Sequence, residues 1–170
     1  QRSILLCLLA IRPGRLLTRE TLVQRSWPQG APASAKAALR VHLAALRQLL
    51  GESGGDAIPH GRGGYRLDPT LVRTDLQEFD DLVAAAGDPV ARAASAGDAA
   101  LAALDRLARI DRALALLRGT PFAGINHDDE LRIETERIEQ VRQRLQEDRI
   151  DIRLALGQQV EVCAEAAALV

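Results

Sequence analysis

Apolar residues recur at the helical period through most of the chain. In residues 33–50, Leu39, Leu43, Leu46 and Leu50 are spaced by 4, 3 and 4 positions, a single stripe on one face of a helix. Gly51 follows in the C′ position, where glycine is favoured. Upstream, Ile4, Leu5, Leu8 and Leu9 predict a helix over 2–11 that Pro13-Gly14 ends. Thr18 suits the N-cap of a second helix over 19–27, which stops at Pro28. After residue 51 the period changes. Residues 58–67 are short and broken by Gly61, Gly63 and Gly64, the mark of a β-hairpin with Arg62 at its tip. Three helices and a basic hairpin make the plan of a winged helix-turn-helix.

The second half is helical throughout. Asp75 and Glu78 have capping-box spacing, and Leu76, Phe79, Leu82 and Val83 give the following helix a buried face up to Gly87-Asp88-Pro89. Residues 90–98 are Ala-rich with weak periodicity, an extended loop or a frayed helix. Leu101, Leu104, Leu107, Leu114 and Leu117 mark a helix that ends at Gly119. A long helix opens at His127-Asp128-Asp129-Glu130 and runs to Leu156, about 40 Å. Its stripe is Leu131, Ile138, Val141, Leu145 and Ile152, and a last helix is expected over 160–170. Paired helices of this kind form a tetratricopeptide-like stack. The fold class is therefore mainly α: a winged helix-turn-helix with a small hairpin wing over 1–70, then a tetratricopeptide-like helical domain over 71–170. Such stacks need about three repeats, so a continuation beyond residue 170 is expected.

Composition changes this picture little. The chain is 47% hydrophobic and only 2% aromatic, as Leu- and Ala-rich helices would be. Cys7 and Cys163 lie far apart on apolar helical faces, as buried thiols of a reducing cytoplasm would. No apolar run reaches the roughly 18 residues of a membrane span, and the front lacks the signature of a signal peptide. Charge changes it more. The overall net of −1 hides nine arginines and one lysine against four acids in residues 1–70, then twelve arginines against nineteen acids in 71–170. A basic front joined to an acidic back suggests a nucleic-acid-binding module joined to something else.

The basic front has a place to act. Around the 33–50 helix, Arg40 and Arg47 flank the leucine stripe on one side and His42 on the other. The face opposite the leucines is Ala37, Val41, Ala45 and Gln48. Small side chains let a backbone approach base edges in a major groove while cations meet the phosphate walls. An amphipathic surface helix with outward-reaching arginines is the plainer reading of the same pattern. Lys36, Arg40, Arg47 and Arg62 are expected at phosphates. His42 and His60 lie on the same surface as phosphate contacts or polar flanks. Trp27 is expected as a core plug, and Tyr65 beneath the hairpin.

Other constellations point to no chemistry. His127, Asp128, Asp129 and Glu130 point in different directions on a helix and complement its N-terminal dipole, so no metal site is expected. The acids and arginines of the long helix (Glu130, Glu134, Arg137, Glu139, Arg142, Arg144, Glu147) alternate, and pairs such as Glu134–Arg137 and Glu147–Arg144 fit a solvated face, with a protein-docking face as the alternative. There is neither a nucleophile-elbow motif nor a phosphate-binding loop. No enzyme and no cofactor are expected.

Two stretches resemble known families. Leu39-Arg40-Val41-His42-Leu43 with Leu46-Arg47 and Gly64-Tyr65-Arg66-Leu67 resembles the response-regulator-type winged helix. Asp75-Leu76, Phe79 and Leu82-Val83, the run from Ala113 to Pro121, and Glu147-Asp148-Arg149-Ile150-Asp151 with Leu154-Ala155-Leu156-Gly157 resemble the bacterial transcriptional activator domain. Together they are similar to the Streptomyces antibiotic regulatory protein (SARP) family, over nearly the whole chain. The resemblance implies a DNA-binding activator, often of a specialised-metabolite gene cluster. It would bind repeated sites on double-stranded DNA, with a homodimer as one arrangement, and contact RNA polymerase. It places Val41 and Ala45 at base edges, Arg47 and His42 at phosphates, and Arg62 as the wing cation. Ala44 and Ala45 stand where family members often carry Arg, and the given residues are expected to start at helix one, without the family's N-terminal sheet. The rival reading is a protein-interaction scaffold or signal-sensing regulator whose winged helix no longer binds DNA.

Overall fold

The structure, a computed structural model, describes residues 1–52, 54–61, 63–87, 96–125 and 128–159. Arg62, His127, Cys163, most of the 90–98 stretch and the helix expected over 160–170 lie outside the described residues. The chain forms two units, Gln1–Thr74 with Phe122–Thr135, and Asp75–Pro121 with Glu136–Val170. Packing thus makes no single cut near residue 70, because a segment from the second half belongs with the first. No described helix is long and apolar enough to cross a membrane.

The first unit begins with α1 (Arg2–Ala10), α2 (Arg19–Ser26) and α3 (Ala35–Leu49). Thr18 caps α2, its hydroxyl accepting from the Thr21 amide at 3.1 Å. Leu39, Leu43 and Leu46 of α3 are buried, as are Leu5, Leu8 and Leu9 of α1 and Leu22 of α2, and the three helices pack on one another. Each such leucine contributes about 1.5–3 kcal/mol by leaving water. Gly51 ends α3 with φ +76°.

The hairpin is smaller than the sequence predicts. Before it, residues 54–57 form a helical turn, α4 (Gly54–Ala57). A Cβ on Gly54 would sit 1.8 Å from the Arg47 carbonyl oxygen, so only glycine lets this turn close on α3. The ladder of β1 (His60–Gly61) and β2 (Gly64–Tyr65) is antiparallel, with His60 opposite Tyr65 and Gly61 opposite Gly64. Its other edge is taken by Leu17. The Tyr65 amide donates to the Leu17 carbonyl at 2.9 Å, and the Leu17 amide donates back at 2.8 Å. A Cβ on Gly64 would lie 2.0 Å from that Leu17 oxygen. These two glycines are therefore sites of close backbone approach as well as turn signals.

The long helix α7 (Asp129–Ala155) gives its opening turns to this unit. Asp128 caps it, accepting from the Leu131 amide at 3.0 Å. The acids here are not a solvated face. Arg25 of α2 donates through Nε and Nη2 to the two oxygens of Asp128, at 2.6 and 2.5 Å, and through Nη1 to Glu130 at 2.9 Å. Arg15 donates to Glu130 at 2.6 Å, and Arg12 meets Glu134 at 3.4 Å. Asp128 and Glu134 are buried. A carboxylate out of water needs a cation, and α2 with the loop before it supplies three. Part of the basic front is thus neutralised within its own unit.

The second unit holds α5 (Asp75–Gly87), α6 (Ala96–Leu116) and the rest of α7. Phe79, Leu82 and Ala86 are buried on α5, Leu107, Ile110 and Ala113 on α6, and Ile138, Leu145 and Ile152 on α7. The last carbonyls of α5 lack helical partners. Arg106 donates to the Ala86 carbonyl at 2.9 Å, and Arg109 to that of Ala85 at 3.0 Å. Arg106–Asp148 and Arg137–Asp80, at 2.6 and 2.8 Å, tie α7 to the other two helices.

Candidate nucleic-acid interface

The exposed surface of α3 carries the predicted residues. Val41 is 63% exposed, and Lys36, Ala37, Arg40, Ala44 and Gln48 are exposed beside it; Ala45 is half-buried. Lys36, Arg40 and Arg47 project within an arc of about 40° on one flank. Lys36 and Arg40 form no ion pair with any described residue. Their flank borders a groove of about 570 Å³ that α3 shares with Arg19 at the start of α2 and with His60 and Tyr65 of the hairpin. Leu39, Leu43 and Tyr65 form its apolar floor, and none of the described residues lining it is acidic.

Arg47 is placed differently from Lys36 and Arg40. Its Nε and Nη2 both donate to the Ile58 carbonyl, at 3.0 and 2.6 Å, and its guanidinium carbon lies 5.8 Å from the centre of the Tyr65 ring. Tyr65, buried beneath the hairpin as expected, meets His60 edge-on with ring centres 5.3 Å apart. The His60 Nε2 in turn meets the Arg19 guanidinium. A line of contacts therefore runs from α3 through the hairpin to α2.

The other flank of α3 is unlike this one. His42 lies beside Trp27 with ring centres 6.4 Å apart, and its Nδ1 is buried without a hydrogen-bond partner among the described residues. Trp27 is half-buried. Cation charge on α3 is thus one-sided. Arg62, expected at the hairpin tip, is outside the described residues. Reading by sequence missed Arg19, because a cation in the first turn of a helix looks like a surface residue. It also gave Arg12, Arg15 and Arg25 to the basic front, although each faces an acid more than 100 positions away.

The description "bacterial transcriptional activator domain" belongs to a family model that matches residues 74–170, and a model for the C-terminal domain of transcriptional regulatory proteins matches residues 2–67. The chain is 31% identical to regulatory protein AfsR of Streptomyces griseus, over 99% of this chain and 16% of AfsR. It is 29% identical to regulatory protein DnrI of Streptomyces peucetius, over 95% of this chain and 60% of DnrI. The chain belongs to the SARP family. This SARP chain spans less than two thirds of the curated relatives it matches. Its fold is also that of Mycobacterium tuberculosis EmbR, solved in complex with a low affinity phosphopeptide. The TM-score is 0.78 at 20% identity, over 99% of this chain and 44% of that one. The SARP assignment fits the mainly helical architecture, with a winged helix ahead of a tetratricopeptide-like unit.

Proposed function

We propose that this chain is a sequence-specific DNA-binding transcriptional activator that lays α3 in the major groove of double-stranded DNA. The observation that carries the reading is the flank of Lys36 and Arg40, without ion-pair partners among the described residues, beside an exposed crest of small side chains. On this reading Ala37, Val41, Ala45 and Gln48 face base edges, and Val41 takes the methyl group of a thymine. Lys36, Arg40 and Arg62 meet phosphates, and His42 stands at the far margin. The helical unit docks on RNA polymerase. The bound sites are repeats near the promoter of a specialised-metabolite gene cluster, occupied by a homodimer in the cytoplasm. Membership of the SARP family supports these finer assignments, and the charge and shape of α3 support the first.

Fluorescence anisotropy with a mixed-sequence duplex tests it. These three phosphate contacts contribute about −2.7 to the slope of log K against log salt, so affinity falls at least roughly 40-fold between 50 and 200 mM. No binding at about 50 mM salt would refute the proposal. It would favour a scaffold that docks a protein through the same alanine-rich crest.

A further inference from the structure

The groove beside α3 deepens the DNA-binding reading and rests on it. Its walls are Arg19, Lys36, Arg40 and His60, contributed by α2, α3 and the hairpin. Cations from two separate elements, α2 and α3, converge there beside His60 of the hairpin, and no acid among the described lining residues answers them. Such a channel suits a polyanionic strand that enters along one flank of α3.

Arg47 borders the same groove but is engaged elsewhere. Two of its five donors go to one buried carbonyl, that of Ile58. Swinging it onto a phosphate would leave that carbonyl without a partner, which buried carbonyls rarely tolerate. Holding it fixed keeps Tyr65, and with it the hairpin, against α3. Arg19 is in the opposite situation. It is exposed, meets His60 through one terminal nitrogen, and keeps its remaining donors among the described residues.

We propose that this groove seats the phosphates of one DNA strand, with Arg19 joining Lys36 and Arg40 as phosphate ligands, and that Arg47 is a positioning residue that holds the hairpin at the groove's edge. A phosphate ligand and a positioning residue differ in their response to salt and to a conservative replacement. Losing a ligand removes about 0.9 from the salt slope. Lysine in place of Arg47 keeps the charge but cannot give the forked pair of bonds to Ile58.

The test is anisotropy of the full chain with a mixed-sequence duplex from 50 to 200 mM salt. Arg19→Gln, Lys36→Gln and Arg40→Gln are each expected to lower the slope by about 0.9, so the loss of affinity across that range shrinks about 3.5-fold. Arg118→Gln, an exposed cation of the second unit, leaves the slope alone. Arg47→Lys is expected to keep the wild-type slope and to bind about tenfold more weakly at every salt concentration. Its Leu17 and Tyr65 amides are expected to exchange faster. Wild-type affinity in Arg47→Lys overturns the positioning role, and an unchanged slope in Arg19→Gln overturns the groove. Arg19→Gln alters an exposed residue, so it decides the groove even if an Arg47 variant fails to fold. Failure of the wild type to bind any duplex overturns this proposal together with the DNA-binding reading, whereas lowered slopes in Lys36→Gln and Arg40→Gln with an unaltered slope in Arg19→Gln overturn the groove alone.

Discussion

Replacing Arg25 by Met is expected to destabilise the first unit by about 3 kcal/mol. Arg25 is 17% exposed and Asp128 4%, and the two meet through parallel bonds of 2.6 and 2.5 Å. Removing one partner of a buried ion pair costs about 3–5 kcal/mol, because the other charge is left uncompensated. Asp128 keeps its bond from the Leu131 amide, which places the effect at the lower end. Adding Asp128→Asn to Arg25→Met removes the stranded charge while retaining a capping side chain, and is expected to restore about 1–2 kcal/mol. The hydrogen bonds to Asp128 are the main reason the Arg25 pKa is raised above its ordinary value. A cation with a raised folded-state pKa stabilises fully below its unfolded value, which for arginine lies far above neutrality, and loses that contribution only as pH rises through the raised one. Its share of stability is therefore constant from pH 6 to 9. The assay is urea unfolding of the full chain followed by the fluorescence of Trp27, the single tryptophan, which lies in the first unit. A loss below 1 kcal/mol would refute the reasoning, since that is the range of exposed pairs.

Two further outcomes follow from the geometry. Gly64→Ala is expected to cost about 2–3 kcal/mol, because the new methyl group meets the backbone oxygen of Leu17 and not a yielding side chain; a urea midpoint equal to wild type would contradict this. The Asp68 pKa is lowered, first by the hydrogen bond from the Thr70 hydroxyl, then by the Thr70 amide and by Arg66. A carboxylate with a lowered pKa stabilises above its unfolded value and loses that contribution as pH falls below about 4. An NMR titration of the Asp68 carboxyl is expected to have its midpoint below the ordinary carboxylate range, and Thr70→Val to raise it.

Residues that act through periodicity were legible in the sequence. The leucine spacing located α3 to within two residues at its start and one at its end, and Thr18 marked the start of α2. Leu131, Ile138, Leu145 and Ile152 are buried along α7 as their spacing requires. Features that depend on long-range partners were not legible. Nothing local tells Arg25 that its carboxylate lies 103 positions away. Glu134 did leave a sign. On α7 it falls on the face of Leu131 and Ile138, and an acid on an apolar stripe must find a cation. The close approach of Gly54 to the Arg47 carbonyl left no local sign, because it depends on tertiary packing. On α3 the sequence identified which positions face outward. It could not tell that Arg47 would turn to Ile58, since the forked carbonyl contact is made only once α4 and the hairpin are in place.

Chemical interference mapping on a natural binding site tests the central claim most directly. Sites recovered from a genome-wide map of bound DNA would be lightly methylated with dimethyl sulfate, and the bound and free fractions compared. Guanine N7 lies in the major groove and adenine N3 in the minor groove. With α3 inserted as argued, methylation at guanine N7 within each repeat is expected to abolish binding. Binding blocked only by methylation at adenine N3, with every guanine N7 tolerated, would contradict the account.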